Sequence, residues 1–274
     1  MSIHVFLGST LAPETARARL RATYLPPARR GDIEQVLAWR PQAIAIIDAV
    51  VEPRLAVGCE EVVAALSAGV PVFGAGGVGA AIAAKLAPWG MTGVGEVFRR
   101  FRESELVEPE EAAVLGAGDG RDDRRRAVAL VTVRDHARRA LTDGVLSASG
   151  AARIVESAQH LHYAARWYPR ILAGALALGA GEREIARFEG WLSRAGRDLP
   201  ARDALDLLQQ LRVLERCEVV PVVPARTAAW RIAALGQEPA VSGGSTRRRA
   251  EVLGELARSV EATASAPQPL QVEV

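Results

Sequence analysis

Cysteine occurs only twice in the 274 residues, at Cys59 and Cys217, and lysine once, at Lys85. Two cysteines are too few for a disulfide scaffold or a cysteine-rich zinc site, so in a reducing compartment both read as free thiols. Excess charge is missing as well. The 34 basic and 32 acidic side chains leave +2, which does not point to a polyanion partner, so no nucleic acid is expected. No apolar run is long enough to span a bilayer, and Met1-Ser2-Ile3-His4 leads directly into a strand-like run instead of a signal peptide. The expectation is a cytoplasmic protein with no membrane partner. The near-absence of lysine beside abundant arginine reads as genomic bias, not mechanism.

What is present is ordinary for a folded chain: 49% hydrophobic and 24% charged residues. The length suits one α/β domain with a helical extension, or two small domains. Ile3 to Leu7 is a compact apolar run stopped by Gly8-Ser9-Thr10, and Pro13-Glu14 starts a helix through Leu20. Tyr24 to Pro27 reads as extended, and Gly31-Asp32 opens a helix through Val36 and Leu37. Ala43 to Ile47 is apolar throughout, the pattern of a strand buried on both faces, and ends at Asp48. A helix is predicted from about Leu55 to Ser67. Repeated strand-helix units favour a small, parallel, Rossmann-like sheet with flanking helices.

Around Val70 to Phe73 a third unit turns on a cluster of glycines. Gly74-Ala75-Gly76-Gly77-Val78-Gly79 fits G-x-G-x-x-G, which in a dinucleotide site is followed about 20 residues later by an acidic residue closing the next strand. Here Pro88 to Gly95 reads as a glycine-punctuated loop, and Glu96 as the start of a helix. Two readings stay open for Gly74, Gly76, Gly77 and Gly79: binding of a negative or polarised oxygen at the helix start, or close strand-helix packing. Thr10 stands at a strand's carboxyl end, where open parallel sheets bind ligands, or caps the next helix. Asp48 can orient a nucleophile, or tie down its own loop. Arg29 and Arg30 are a solvated loop pair or an anion clamp.

The remainder is helical. After a turn or linker at Gly116 to Gly120, Val128 to Val133 reads as a strand or, the reading preferred, as the start of a bridging helix continuing to Leu141. A stripe of Ile154, Ala158, Leu161, Ala165 and Tyr168, a second helix after Pro169, a third with Ile185, Phe188 and Leu192, and a fourth with Leu207, Leu208 and Leu211 predict a four-helix unit. His160 and His162, two apart, point to different helix faces and do not form a shared metal site. The boundaries expected are 1–117 for the α/β core, 118–150 for a linker and bridging helix, 151–217 for the helical bundle, and 218–274 for a proline-rich segment, a helix and a disordered tail.

The run FGAGGVGAAIAAKLAPWGMTGVGEVFRRF resembles the signature of the TfuA-like family. Phe6-Leu7-Gly8 with Leu11, Pro26-Pro27-Ala28 before Gly31-Asp32, Ile46-Ile47-Asp48, and Glu61 with Leu66 and Gly69 are similar to family positions. So are Glu108 to Val114, Trp167-Tyr168-Pro169 and Arg202-Asp203-Ala204, so that the likeness covers about the first 215 residues. The family's tandem serines are Gly76 and Gly77 here, its methionine Val78, its arginine Ile82 and its glutamate Lys85. Its His-Lys-Glu is Cys59-Glu60-Glu61, and its Asp-Gly-Tyr-Phe is Asp48-Ala49-Val50-Val51.

The resemblance implies partnership with a YcaO-type enzyme, which uses ATP to activate a peptide backbone amide; with sulfide the product is a thioamide. ATP and magnesium belong to that partner, and no cofactor of this chain's own is implied. A ThiS-like sulfur carrier and a precursor peptide are further implied partners. Three functions follow as expectations. The first is an accessory protein that activates the YcaO-type enzyme. The second is a hydrolase or sulfur-transfer enzyme using Thr10, Asp48, Glu61 or Cys59, the last either a thiol near a helix start or a small apolar side chain. The third is a nucleotide-binding oxidoreductase.

Overall fold

The computed structural model describes residues 2–114, 127–196 and 198–215. The proline-rich segment and tail expected at 218–274, and the turn around 116–120, lie outside the described residues.

Five strands form one parallel sheet: β1 (Ile3–Phe6), β2 (Thr23–Leu25), β3 (Ala43–Ile46), β4 (Val72–Ala75) and β5 (Thr92–Val94), in the order β2-β1-β3-β4-β5. Every residue of β1 and β3 is buried, which is why both read as unbroken apolar runs. The expected α/β class with helices following the sheet is what the chain adopts.

The sheet's helices are α1 (Pro13–Arg17), α2 (Asp32–Ala38), α3 (Cys59–Ser67), α4 (Val78–Leu86) and α5 (Glu96–Arg102). Beyond them come α6 (Leu130–Thr142), α7 (Ala148–Gln159), α8 (Tyr168–Ala177), α9 (Glu182–Leu192) and α10 (Leu199–Glu215). α1 and α10 pack on one sheet face, and α2, α3 and α4 on the other.

Three expectations change. The segment 88–95 is not all loop, because Thr92-Gly93-Val94 pairs with β4. Gly93 reads as a loop residue yet is where the Phe98 ring lies, 2.0 Å from a Cβ placed there. α3 starts at Cys59 and not near Leu55, because the Gly58 N–H is taken by the Glu61 carboxylate at 3.0 Å. The apolar stripe through Tyr168 belongs to two helices. α7 stops at Gln159, where the buried Arg166 guanidinium donates to the carbonyls of Ala158 and Leu161 and takes up the carbonyls of the helix end.

The four-helix unit also differs in membership. Side chains of α6, α7, α8 and α9 share one core, with Ile154, Ile171 and Phe188 fully buried. α10, expected as the fourth member, lies on the sheet instead, against β4 and β5, and its Leu207, Leu208 and Leu211 are buried in the cluster that covers this sheet face. Each buried leucine contributes about 1.5–3 kcal/mol. Arg202 of α10 donates to Asp135 of α6 at 3.0 Å, tying the helix to the second unit as well. Among the described residues no helix is long and apolar enough to cross a membrane.

Candidate functional site

In this strand order β1 leads outward to β2, while β3 leads the other way to β4. The crevice between the carboxyl ends of β1 and β3 is therefore the topological switch point, the place where open α/β sheets receive ligands. β1 delivers the Gly8–Leu11 loop to it, β3 delivers Asp48, and the turn after β4 delivers Gly76 and Gly77.

There the Thr10 hydroxyl donates to Asp48 Oδ1 at 2.6 Å, while the backbone N–H groups of Gly8 and Thr10 donate to Oδ2 at 2.8 and 3.1 Å. A Cβ on Gly77 would stand 2.7 Å from Asp48 Oδ1 and 3.1 Å from Thr10 Oγ1, so the glycine bend lies directly against the pair. Thr10, Asp48 and Gly77 are thus brought together from three separate strands.

The bend is not an open cradle. Gly76 has φ +72° and lies beneath Pro200 at the start of α10, whose carbonyl oxygen is 2.8 Å from a Cβ placed there. Gly79 approaches β3 so closely that a Cβ would be 1.8 Å from the Ile46 carbonyl oxygen, and its own N–H donates to the Ile47 carbonyl at 3.1 Å. Gly74, Gly76, Gly77 and Gly79 are all buried. Close strand-helix packing accounts for this geometry. Glu96 lies in the first turn of α5 and pairs with Arg99 and Arg100, and those pairs lower its carboxyl to about 2.

Glu61 belongs to a different junction. Its carboxylate accepts from the Gly58 N–H and, at 2.8 Å, from the Gly31 N–H, fastening the start of α3 to the loop before α2. Burial pushes this carboxyl up, and the two N–H donors pull it partly back. Cys59, partly buried, packs against the apolar cluster beneath α2, α3 and α4. Arg29 and Arg30 pair with Asp32 and Glu60 on the surface.

Two cavities flank the Thr10–Asp48 pair. One, of about 400 Å³, has Thr10 on its wall and lies against α6. The other, of about 180 Å³, includes Asp48, Val51, Val78 and Tyr163. Neither Cys59 nor Glu61 lines these two cavities. Among the described residues no group of three or more His, Cys, Asp or Glu is placed to hold a metal ion.

Two features were not assigned from sequence. Asp203 of α10 is buried and accepts from the Val97 N–H at 2.7 Å, capping α5 from a distant helix; burial pushes its carboxyl up to about 6. The only sequence signal for it was its place in the Arg202-Asp203-Ala204 likeness. On α6, buried His136 meets the Tyr168 hydroxyl at 2.6 Å through Nδ1, and burial pulls the imidazole down to about 4. Val128 to Val133 reads as an apolar stretch, and nothing in it indicates which face of the helix meets the sheet.

Fold and crevice together define a doubly wound α/β protein whose candidate site lies at the switch point, closed on one side by its last described helix. Residues 48–167 match the family model described as TfuA-like protein, so this stretch of the chain is similar to that family. The match opens on Asp48 and spans β4, β5 and α3 through α7. No curated protein matches the chain.

Proposed function

We propose that this chain is an accessory protein that binds and activates a YcaO-type ATP-dependent enzyme in peptide backbone modification, thioamidation in the first instance. The TfuA-like match over 48–167 carries the reading. It is supported by the state of the residues expected to do chemistry: both oxygens of Asp48 and both of Glu61 accept hydrogen bonds that hold loops. Thr10 and Asp48 are only 1% and 6% exposed, and the bend is covered by α10, which suits a folded binding surface better than an open hydrolytic site. A cytoplasmic location belongs to the same proposal. The test is ATP turnover by a purified YcaO-type enzyme, measured with and without the protein. Stimulation together with co-elution is expected; unchanged turnover and separate elution would overturn the reading.

The Thr10 hydroxyl held 2.6 Å from Asp48 Oδ1 favours a second reading, hydrolysis of a thiocarboxylated ThiS-like carrier. Water would attack the carbonyl carbon, give up a proton through Asp48 and break the C–S bond, leaving the carrier's carboxylate and hydrosulfide. If Thr10 attacks first, hydrosulfide leaves as the acyl ester forms, and water then hydrolyses that ester to restore the hydroxyl. If Gly77 stands where relatives carry a serine, that hydroxyl would have met this pair. Sulfide release by the wild type that is lost in Thr10→Val supports hydrolysis, and no release by the wild type removes it.

A further inference from the structure

A groove of about 510 Å³ lies between the outer face of α4 and the loop that follows α5. Ala81, Ala84 and Lys85 line it from α4, three and four positions apart and therefore on one helix face. Phe101 and Arg102, at the end of α5, and Val107, in the loop beyond, line the other side. Each wall thus combines apolar surface with one cation.

Val107 is 73% exposed, although Leu106 beside it is buried. The backbone holds it there: the Val107 and Glu108 N–H groups donate to Glu111 Oε1 at 3.0 and 3.3 Å, and the other oxygen of Glu111 pairs with Arg134. A partner that covers this isopropyl group removes apolar surface from water without first having to order the loop.

The two cations are uncommitted as well. Lys85 is the chain's single lysine. Among the described residues neither Lys85 nor Arg102 forms an ion pair; around α5 the carboxylates of Glu96, Glu103 and Glu105 go to Arg99 and Arg100. The same acidic residues narrow the choice of partner. Glu103, Glu105 and Glu108 are exposed beside the groove, so an extended polyanion such as a nucleic acid or an anionic membrane meets repulsion along this rim. A short segment with discrete carboxylates can place one at each cation and lay its apolar side chains on Phe101 and Val107.

We propose that this groove docks a segment of a partner protein in which apolar side chains stand between carboxylates, the acids meeting Lys85 and Arg102 and the apolar groups covering Val107. The inference concerns the isolated chain and does not depend on which enzyme the protein activates.

Because Lys85 is the single lysine, reductive ¹³C-methylation of the full-length protein labels its ε-amine and otherwise only an α-amine, and Lys85→Arg assigns the two signals in NMR spectra. The labelled protein is titrated with N-acetyl-Glu-Leu-Val-Leu-Glu-amide and with its neutral counterpart, N-acetyl-Gln-Leu-Val-Leu-Gln-amide. A saturable shift of the Lys85 signal is expected, reached with the acidic peptide at about fivefold lower concentration than with the neutral one. Arg102→Gln should weaken the acidic peptide about 2- to 5-fold and leave the neutral one unchanged. Val107→Ser should weaken both peptides about fivefold, through lost apolar burial. Both side chains are exposed, so the two variants should melt as the wild type does. The proposal is overturned by no shift with the acidic peptide, by equal or tighter binding of the neutral one, or by a Val107→Ser variant that binds as the wild type does. A tighter response to decadeoxythymidylate or to phosphatidylglycerol vesicles overturns it in favour of a polyanion. A Lys85 shift that grows with protein concentration alone, accompanied by a dimer's mass in sedimentation, gives the groove to a second copy of the chain instead.

Discussion

Asp203 and Val97 lie 106 positions apart, and their 2.7 Å hydrogen bond makes a carboxylate of α10 the cap of α5. The contact also fixes α10 across the sheet edge, above the glycine bend that Pro200 covers. Replacing Asp203 by Ala leaves buried N–H groups at the start of α5 without their acceptor. The expected loss is about 1–3 kcal/mol, read as a lower urea midpoint.

Two buried groups should oppose one another in the pH dependence of stability. Asp203 has its carboxyl raised from an ordinary value near 4 to about 6. The folded chain therefore holds more protons in that window, and this group's contribution falls as pH rises from about 4 to 6. His136 is lowered from 6.5 to about 4, so the folded chain holds fewer protons and stability is lost as pH falls from 6.5 toward 4. Each effect is on the order of 2–3 kcal/mol. Relative to the wild type, Asp203→Asn should gain stability as pH rises through 4–6, and His136→Gln should gain stability as pH falls through 6.5–4. Denaturant midpoints measured across this range check both slopes.

Thr10→Val removes the hydroxyl donor to Asp48 but leaves the two backbone N–H groups in place. It should cost about 1 kcal/mol, whereas Asp48→Ala strips the acceptor from three donors and should cost about 2–4 kcal/mol. A double-mutant cycle by thermal unfolding should return a coupling of about 1 kcal/mol between them. Additive losses would separate the two side chains energetically.

Gly79→Ala places a methyl group against the Ile46 carbonyl oxygen, so α4 must move away from β3. Overpacking of that kind should cost about 3 kcal/mol or more, seen as low soluble yield or an early unfolding midpoint. Gly31→Ala is a useful contrast: it has φ +87° but nothing within 4 Å of its added Cβ, so its penalty is backbone strain of about 1–2 kcal/mol.

Much of the sheet was legible because β1 and β3 are buried on both faces and their sequences therefore carry no polar interruption. The meeting of Thr10 and Asp48 was legible for a related reason: in a parallel sheet, residues just past the carboxyl ends of neighbouring strands share an edge. What pattern reading could not weigh was the competition for hydrogen bonds at that edge. Asp48 had two open roles, orienting a nucleophile or tying down its own loop, and its Oδ2 accepts from the N–H groups of Gly8 and Thr10 in the loop after β1, which sequence order alone does not place beside it.

Local chemistry alone, then, set the α/β class, the strand-helix alternation and the glycines that let α4 approach β3. It did so because burial and backbone sterics act on adjacent residues and leave a period or a residue type behind. Tertiary structure alone decided that α10 leaves the helical unit to cover the sheet and that Asp203 caps α5. An apolar stripe such as Leu207, Leu208 and Leu211 records that a helix face is buried but not which surface buries it, and only the packed chain supplies that partner.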